Sequence, residues 1–155
     1  VLVNVMSEQP REAEKRKITS LFDFDPEMGR KNPQTMLLVE DNLVNQKVAS
    51  KLLSKFGYRV DIASNGLEAI QALERQSYTV VFMDIQMPEM DGEEATKIIR
   101  EKWPTVEQPR IIAMTAHALE GDREHFLSLD MDDYISKPLS VKELFRVLER
   151  IPQSK

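Results

Sequence analysis

From residue 35 onward, short runs of apolar residues alternate with longer segments in which apolar residues recur every three or four positions. Runs of four or five apolar residues are typical of strands buried in a parallel sheet, and the longer pattern is typical of amphipathic helices. Strands are predicted at five places: 36–39, 59–63, 79–83, 110–114 and 132–135. Because a helix is predicted after each strand, the chain has the alternation of an α/β protein.

Four of the five predicted helices begin after a polar start signal: Asn42 and Ser140 are predicted caps, and Asn65-Gly66 and Asp91-Gly92 turn the chain into a helix. The fourth helix is predicted at 120–128. The apolar positions of the first helix, which is predicted to end near Gly57, are Val44, Val48, Leu52 and Leu53. Right-handed crossovers between five parallel strands favour a doubly wound, flavodoxin-like sheet of order 2-1-3-4-5 with helices on both faces.

Four of the apolar runs end on side chains with phosphate chemistry. Glu40-Asp41 follows the first run, Asp84 the third, Thr115 the fourth, and Lys137-Pro138 the fifth. Because the carboxyl ends of parallel strands meet at one edge of a sheet, we expect these groups in one crevice between the first and third strands. Asp41 alone could equally serve as a loop carboxylate beside the first helix, and Thr115 alone could be a helix cap. The full set favours a functional site.

The acidic members of this set predict a metal site. Glu40, Asp41 and Asp84 carry like charges at short range, so they require a cation. Carboxylate oxygens on a partly open site suit Mg²⁺, with Mn²⁺ as an alternative. A carboxylate beside such a cation can attack a phosphoryl group, which makes Asp84 a candidate phosphoacceptor. Lys137 could contact Asp84 at rest and a phosphoryl oxygen afterwards, and Thr115 could donate its hydroxyl to the same group.

Composition narrows the class of protein. The chain has 155 residues, enough for one domain with a tail, and 30% charged residues, which is typical of a soluble globular protein. A net charge of -5 makes nucleic-acid binding unexpected. The absence of cysteine excludes disulfides, thiolate metal sites and a cysteine nucleophile. No apolar run approaches the roughly 18 residues of a membrane span, so we expect no membrane contact by this part of the protein.

Residues 1–33 differ from the rest, because they contain a charged run without an apolar face, followed by the turn-forming residues Gly29 and Pro33. We interpret 1–33 as an N-terminal linker or tail, 34–152 as the folded domain, and 153–155 as a C-terminal tail. Since the sequence starts at Val1 without a leader segment, we interpret it as an internal piece of a longer protein.

Four motifs together resemble the receiver domain of two-component response regulators. They are Glu40-Asp41-Asn42, the segment 83–92 around Asp84, Met114-Thr115-Ala116, and Lys137-Pro138. The resemblance implies that Asp84 is the phosphoacceptor and that Glu40, Asp41, Asp84 and the backbone carbonyl of Gln86 bind Mg²⁺. It implies phosphoryl contacts from Thr115 and Lys137, a switch role for Thr115 and Tyr134, and tuning of hydrolysis by Gln86 and His117.

Segments 42–47, 86–92 and 131–138 resemble the receivers fused to hybrid sensor histidine kinases. That origin implies a phosphohistidine domain of a kinase or phosphotransfer protein as partner, and a domain that catalyses its own phosphorylation and dephosphorylation. We expect it to be cytoplasmic, whether or not the parent kinase is anchored in a membrane. A stand-alone response regulator is the alternative, and homodimerisation is left open.

Two rivals come from other classes. A phosphohydrolase with an aspartyl-phosphate intermediate needs a second aspartate two residues after the nucleophile, where this chain has Gln86. A receiver-like module that is never phosphorylated is disfavoured by the complete set of site residues.

The sequence also suggests a switch and one departure from the family. Phosphate on Asp84 would draw Thr115 inward, let Tyr134 turn, and reshape the face made by the fourth helix, fifth strand and fifth helix. The departure is Asp130, where the family has glycine. We expect aspartate there either to cost stability or to adopt a left-handed backbone.

Overall fold

The computed structural model describes residues 26–116 and 122–153. Five parallel strands form one sheet in the order β2-β1-β3-β4-β5. Their bounds are Met36–Val39 (β1), Val60–Ala63 (β2), Val80–Asp84 (β3), Arg110–Thr115 (β4) and Asp133–Ser136 (β5). The predicted strand order is therefore confirmed, and β3 and β4 extend to include Asp84 and Thr115.

In the part of the chain that the structure describes, five helices lie between and after the strands. They are Leu43–Lys55 (α1), Gly66–Arg75 (α2), Gly92–Lys102 (α3), Asp122–Ser128 (α4) and Val141–Glu149 (α5), with a 3₁₀ turn at Thr105–Glu107 and a one-turn helix at Met28–Lys31 before the sheet. The predicted start of the fourth helix at residue 120 lies outside the described residues. The predicted caps Asn42 and Ser140 are confirmed, and Asn65 and Asp91 cap helices as well. Each of the four side chains accepts a hydrogen bond from the backbone N–H three residues later.

Alternate residues of each strand point into two hydrophobic layers. Leu37, Val39, Val81 and Met83 pack with the apolar faces of α2 and α3, and Phe126 of α4 joins this layer. Met36, Leu38, Val80 and Phe82 pack with α1 and α5 on the other face. Both faces of the sheet are covered, which is why the central strands read as continuous apolar runs. Within the described residues, every helix is too short or too polar to cross a bilayer.

The prediction of which apolar residues of α1 are buried is partly wrong. Val44 and Val48, expected on the packed face, are 67% and 45% exposed, and Leu43 beside them is 70% exposed. Leu53 is buried as predicted, but the other buried residues of this helix are Gln46 and Ala49. Two apolar faces coexist on this helix, and packing on the sheet covers only one of them.

The end of the predicted linker packs against the domain. The backbone N–H of Gly29 donates to the carbonyl of Phe56 at 2.8 Å, and a side chain at Gly29 would collide with the backbone of Gly57. The hydroxyl of Tyr58 donates to the carbonyl of Asn32 at 2.8 Å. We call residues 26–34 the strap; the bulk of the linker, 1–25, lies outside the described residues.

The strap also holds the end of the chain. Side-chain amides of Asn32 and Gln34 donate to the carbonyls of Ile151 and Pro152 at 3.2 Å each. These residues precede β1 and follow α5, so both lie at the edge of the sheet where the strands begin.

Asp130 adopts a left-handed backbone, one of the two outcomes expected there, with φ of 63°. Its carbonyl accepts a hydrogen bond from the guanidinium of Arg100 at 2.8 Å. Arg100 also pairs with Asp132 at 2.9 Å, so the loop before β5 is fixed from α3.

Candidate functional site

The carboxyl ends of β1, β3 and β4 and the loop after β5 enclose a polar cavity of about 200 Å³. It is lined by Glu40, Asp41, Asn42, Asn45, Asp84, Ile85, Gln86, Met114, Thr115, Ala116 and Lys137. All the predicted acceptor, metal and phosphate-contact residues therefore line one cavity. This convergence is the outcome expected for the crevice of a doubly wound sheet.

Three carboxylates of this cavity form a compact cluster. One oxygen from each of Glu40, Asp41 and Asp84 lies within 4.8 Å of the others. Glu40 and Asp84 are buried, with 2% and 3% of their surface exposed, and Asp41 is exposed. The cluster thus has a buried base and an open mouth.

Lys137 lies between the two buried carboxylates. Its Nζ is 3.0 Å from Oδ1 of Asp84, which confirms the predicted contact, and 2.9 Å from Oε2 of Glu40. The Lys137–Pro138 peptide bond is cis. The contact with Glu40 was not predicted, although its signal is present in the sequence: an acidic residue at the end of a fully buried strand needs a partner.

The balance of charge changes the titration of all three groups. Burial raises the pKa of Asp84 to about 6, and the charge of Glu40 adds to this effect against the opposing Lys137 ammonium. Burial also disfavours the charged form of Glu40, but hydrogen bonds from Lys137 and from the backbone N–H of Asn42 leave its pKa below the ordinary value. Burial opposes the charge of Lys137, yet its bonds to both carboxylates raise its pKa. One ammonium therefore neutralises Glu40 better than Asp84.

The donor set fits a hard divalent cation. The cluster offers only carboxylate oxygens, and one ammonium faces two buried negative charges, so that negative charge remains uncompensated at the base of the cavity. Ions such as Mg²⁺ bind through one or two carboxylates and keep several waters, which requires an open side like that at Asp41.

The other predicted residues occupy positions around this base. Thr115 is buried at the end of β4, and its carbonyl accepts a hydrogen bond from the backbone N–H of Lys137 at 2.7 Å. The backbone N–H of Gln86 donates to Asp84 at 3.3 Å. His117, predicted to tune hydrolysis, lies outside the described residues.

Tyr134 lies on β5 beside the cavity rather than in it. Its ring is 6.2 Å from that of Phe126 on α4, and the guanidinium of Arg146 on α5 lies 5.7 Å from the ring. Arg146 also donates to the carbonyl of Tyr134 at 2.7 Å. From β5, Tyr134 therefore contacts both α4 and α5.

Two further features were not anticipated from the sequence. Gln46, a polar residue on the buried face of α1, donates its side-chain amide to the carbonyl of Glu40 at 2.7 Å. A second, mostly apolar cavity of about 340 Å³ lies next to the first, between α1 and the loop after β5. Glu40, Asn45, Met114 and Lys137 line both cavities.

Comparison with known proteins identifies the arrangement. The family model "Response regulator receiver domain" matches residues 36–149. "Hybrid signal transduction histidine kinase B" of Dictyostelium discoideum is 42% identical over 121 residues, which is 72% of this chain and 6% of that kinase. The chain therefore spans a small part of the curated relatives it matches.

Solved structures agree in fold and in sequence. The receiver domain of sensor histidine kinase PA1611 from Pseudomonas aeruginosa PAO1, with a magnesium ion in its active-site cleft, is 46% identical with a TM-score of 0.67 and covers 76% of this chain and 96% of that one. The receiver domain of Ssk1 from Saccharomyces cerevisiae, in complex with the phosphotransfer protein Ypd1, is matched at 29% identity with a TM-score of 0.70, over 77% and 89% of the two chains.

Proposed function

The chain belongs to the response regulator receiver domain family of two-component signalling, and we propose that Asp84 accepts its phosphoryl group from a phosphohistidine. An oxygen of ionised Asp84 attacks the phosphorus atom, an O–P bond forms, and the N–P bond breaks. The imidazole nitrogen leaves with the bonding pair and takes up a proton. The observation that carries this proposal is the Asp84 carboxylate at the end of β3, 3.0 Å from Lys137 and within 4.8 Å of two further carboxylates.

Glu40, Asp41, Asp84 and the backbone carbonyl of Gln86 would hold Mg²⁺ or Mn²⁺. Bound there, the cation supplies positive charge that offsets the carboxylates and the phosphoryl oxygens. The three clustered carboxylates support this assignment, and the magnesium-bound receiver of PA1611 is consistent with it.

Lys137 and Thr115 are proposed to contact the transferred group. The ammonium of Lys137 can move from Asp84 to a phosphoryl oxygen, and the hydroxyl of Thr115 can donate to another. Gln86 and His117 would tune the later attack of water on phosphorus, which breaks the O–P bond and releases phosphate. Because Gln86 has no titratable proton, the position two residues after Asp84 supplies no general acid of the phosphohydrolase type.

The test is incubation of the chain with acetyl phosphate, a small phosphoryl donor. We expect a mass increase of one phosphoryl group in the presence of Mg²⁺ or Mn²⁺, none in the presence of a chelator, and slow loss of the group afterwards. Intact mass spectrometry measures all three. Rapid turnover of many phosphate esters would instead favour a hydrolase, and no adduct at all would favour a receiver-like module that is never phosphorylated.

The same phosphorylated sample tests the proposed switch. The Phe126, Tyr134 and Arg146 contacts join α4, β5 and α5, so inward movement of Thr115 should reach this face through Tyr134. We expect backbone amide signals of residues 122–149 to shift on phosphorylation. An adduct that leaves these signals unchanged would contradict the switch.

We propose that the phosphohistidine-bearing partner docks on an apolar surface formed by Leu43, Val44 and Val48. These exposed side chains lie on the first turns of α1, and the adjoining 340 Å³ cavity continues the apolar surface. Because that cavity shares Glu40 and Lys137 with the phosphorylation cavity, a domain docked there holds its histidine near Asp84. The expected partner has an apolar face around its phosphohistidine. The Ypd1–Ssk1 complex shows that a receiver domain of this fold can pair with a histidine phosphotransfer protein.

A charge introduced into this surface should slow phosphorylation by a protein donor but not by a small-molecule donor. Val44→Asp is expected to slow phosphotransfer from phosphorylated Ypd1 at least tenfold and leave the acetyl phosphate rate unchanged, because the small donor does not dock. Aspartate in the first turn of a helix is compatible with folding. Val106→Asp, at a 93% exposed position in the 3₁₀ turn, is the matched control. Equal slowing with both donors would refute the docking surface.

We further propose that this domain, residues 34–152, is part of a hybrid sensor histidine kinase and is cytoplasmic. The support is the similarity to hybrid kinases, of which the chain matches a small part. A stand-alone response regulator remains the alternative, and the parent reading frame distinguishes the two: a kinase core encoded before Val1 supports the first.

A further inference from the structure

Gln46 is a buried amide among apolar side chains on the inner face of α1. It lies there with Ala49 and Leu53, and only 7% of it is exposed. Its Nε2 donates to the backbone carbonyl of Glu40 at 2.7 Å. A buried amide costs stability unless it is hydrogen-bonded, so this bond is built into the fold.

The acceptor of this bond belongs to Glu40, which directly precedes Asp41. The other polar groups of Glu40 are also held by hydrogen bonds. The backbone N–H of Glu40 donates to Ala63 at 3.0 Å. Its carboxylate accepts from the backbone N–H of Asn42 at 3.1 Å and from Lys137 at 2.9 Å. Its carbonyl is part of the peptide group that leads to Asp41, and Gln46 holds that carbonyl.

The start of α1 does not depend on this bond. Asn42 caps the helix by accepting from the N–H of Asn45 at 3.0 Å, and the N–H of Gln46 donates to the Asn42 carbonyl at 2.9 Å. The side-chain amide of Gln46 therefore adds a constraint on the acidic turn rather than on the helix.

We propose that Gln46 is a positioning residue for the cation, a role that rests on the proposed function of the cluster. By holding the Glu40–Asp41 peptide group, its amide orients the exposed Asp41 carboxylate toward buried Asp84. Without it, the peptide group can rotate and the cluster must be ordered again when the cation binds. Outer partners that orient metal ligands are commonly worth 10- to 100-fold in metal affinity.

The test compares two glutamine variants. Gln46→Met keeps the size and removes the donor. Gln108→Met is the matched control, because the amide of Gln108 also donates to backbone carbonyls, those of Trp103 and Arg100, at the start of β4 and away from the cluster. We expect the dissociation constant for Mg²⁺, measured by calorimetry on the full chain, to rise about tenfold for Gln46→Met and less than twofold for Gln108→Met.

Thermal unfolding without divalent cations separates positioning from general loss of stability. Both variants are expected to melt earlier than wild type, but only Gln46→Met should bind Mg²⁺ more weakly. Gln46→Ala, which leaves room for water at the carbonyl, is the second variant if methionine is not tolerated, with the same expected loss of affinity.

The outcomes are distinct. Wild-type affinity in a folded Gln46 variant overturns the positioning role and leaves the proposed function intact. A wild-type chain that binds no Mg²⁺ overturns both.

Discussion

Replacing Asp84 with asparagine is expected to abolish phosphorylation and, at the same time, to make the domain more stable. The loss of phosphorylation follows because a carboxamide oxygen is a poor nucleophile. The gain in stability follows because the ionised Asp84 is buried beside Glu40, and Lys137 only partly compensates the two charges. A residue kept for structure alone would give the opposite sign of stability change.

The raised pKa of Asp84 determines how the stability gain of Asp84→Asn should depend on pH. The pKa of Asp84, about 6 in the folded state, lies above its ordinary value of 3.8, so the folded state binds the proton more tightly than the unfolded chain. The contribution of Asp84 to stability is therefore present at about pH 4, falls as pH rises to about 6 and stays lower above that range. We expect Asp84→Asn to raise the free energy of unfolding by about 1–2 kcal/mol at pH 8 and to have little effect at pH 4.

Chemical denaturation at the two pH values, without divalent cations, measures this difference. Asp91→Asn is the matched control, because asparagine also caps helices and Asp91 accepts from Glu94 outside the cavity. The control should be phosphorylated and should differ little in stability. If Asp84→Asn is less stable than wild type at pH 8, the conclusion that uncompensated negative charge destabilises the cavity is wrong.

Replacing Lys137 with methionine is expected to have the largest effect on stability. The variant keeps much of the side-chain volume but leaves Glu40 and Asp84 buried without their shared partner. Removing one member of a buried ion pair commonly costs about 3–5 kcal/mol. We expect a loss of that order at pH 8, which Mg²⁺ reduces, and phosphorylation by acetyl phosphate at least tenfold slower.

Two comparisons make this second prediction specific. Lys102→Met removes an exposed ion pair with Glu74, 3.3 Å apart, and is expected to cost no more than about 1 kcal/mol. Adding Asp84→Asn to Lys137→Met should restore part of the lost stability, because one of the two unpaired charges is then gone. A Lys137→Met domain as stable as wild type at pH 8 would contradict the charge balance described here.

Most of the sheet and its cavity could be predicted because the relevant information is local. The apolar runs give the strands, the capping residues give the starts of four helices, and the handedness of crossovers then orders the strands. Once the order is known, the residues at the strand ends must meet. This is why Glu40, Asp84 and Thr115 could be placed in one cavity before any coordinates.

The remaining features depend on which surfaces pack together. In α1 the apolar residues lie on two faces, so periodicity could not tell that Val44 and Val48 face outward and Gln46 inward. The amide of Gln46 can be buried because it is hydrogen-bonded to the Glu40 carbonyl. That acceptor lies at the end of a strand, so the pattern of α1 alone does not reveal it. Likewise, the strap looks like linker by composition, and its packing on Gly57 and Pro152 depends on contacts far along the chain.

The strap places the two ends of the domain next to each other, which affects how such a domain can be joined to others. Asn32 and Gln34 bind the carbonyls of Ile151 and Pro152, so the chain enters and leaves the domain side by side, at the pole opposite the acidic cavity. A domain whose two ends are adjacent can be inserted between two other domains without changing the distance between their connection points. Its acidic cavity then faces away from those connections.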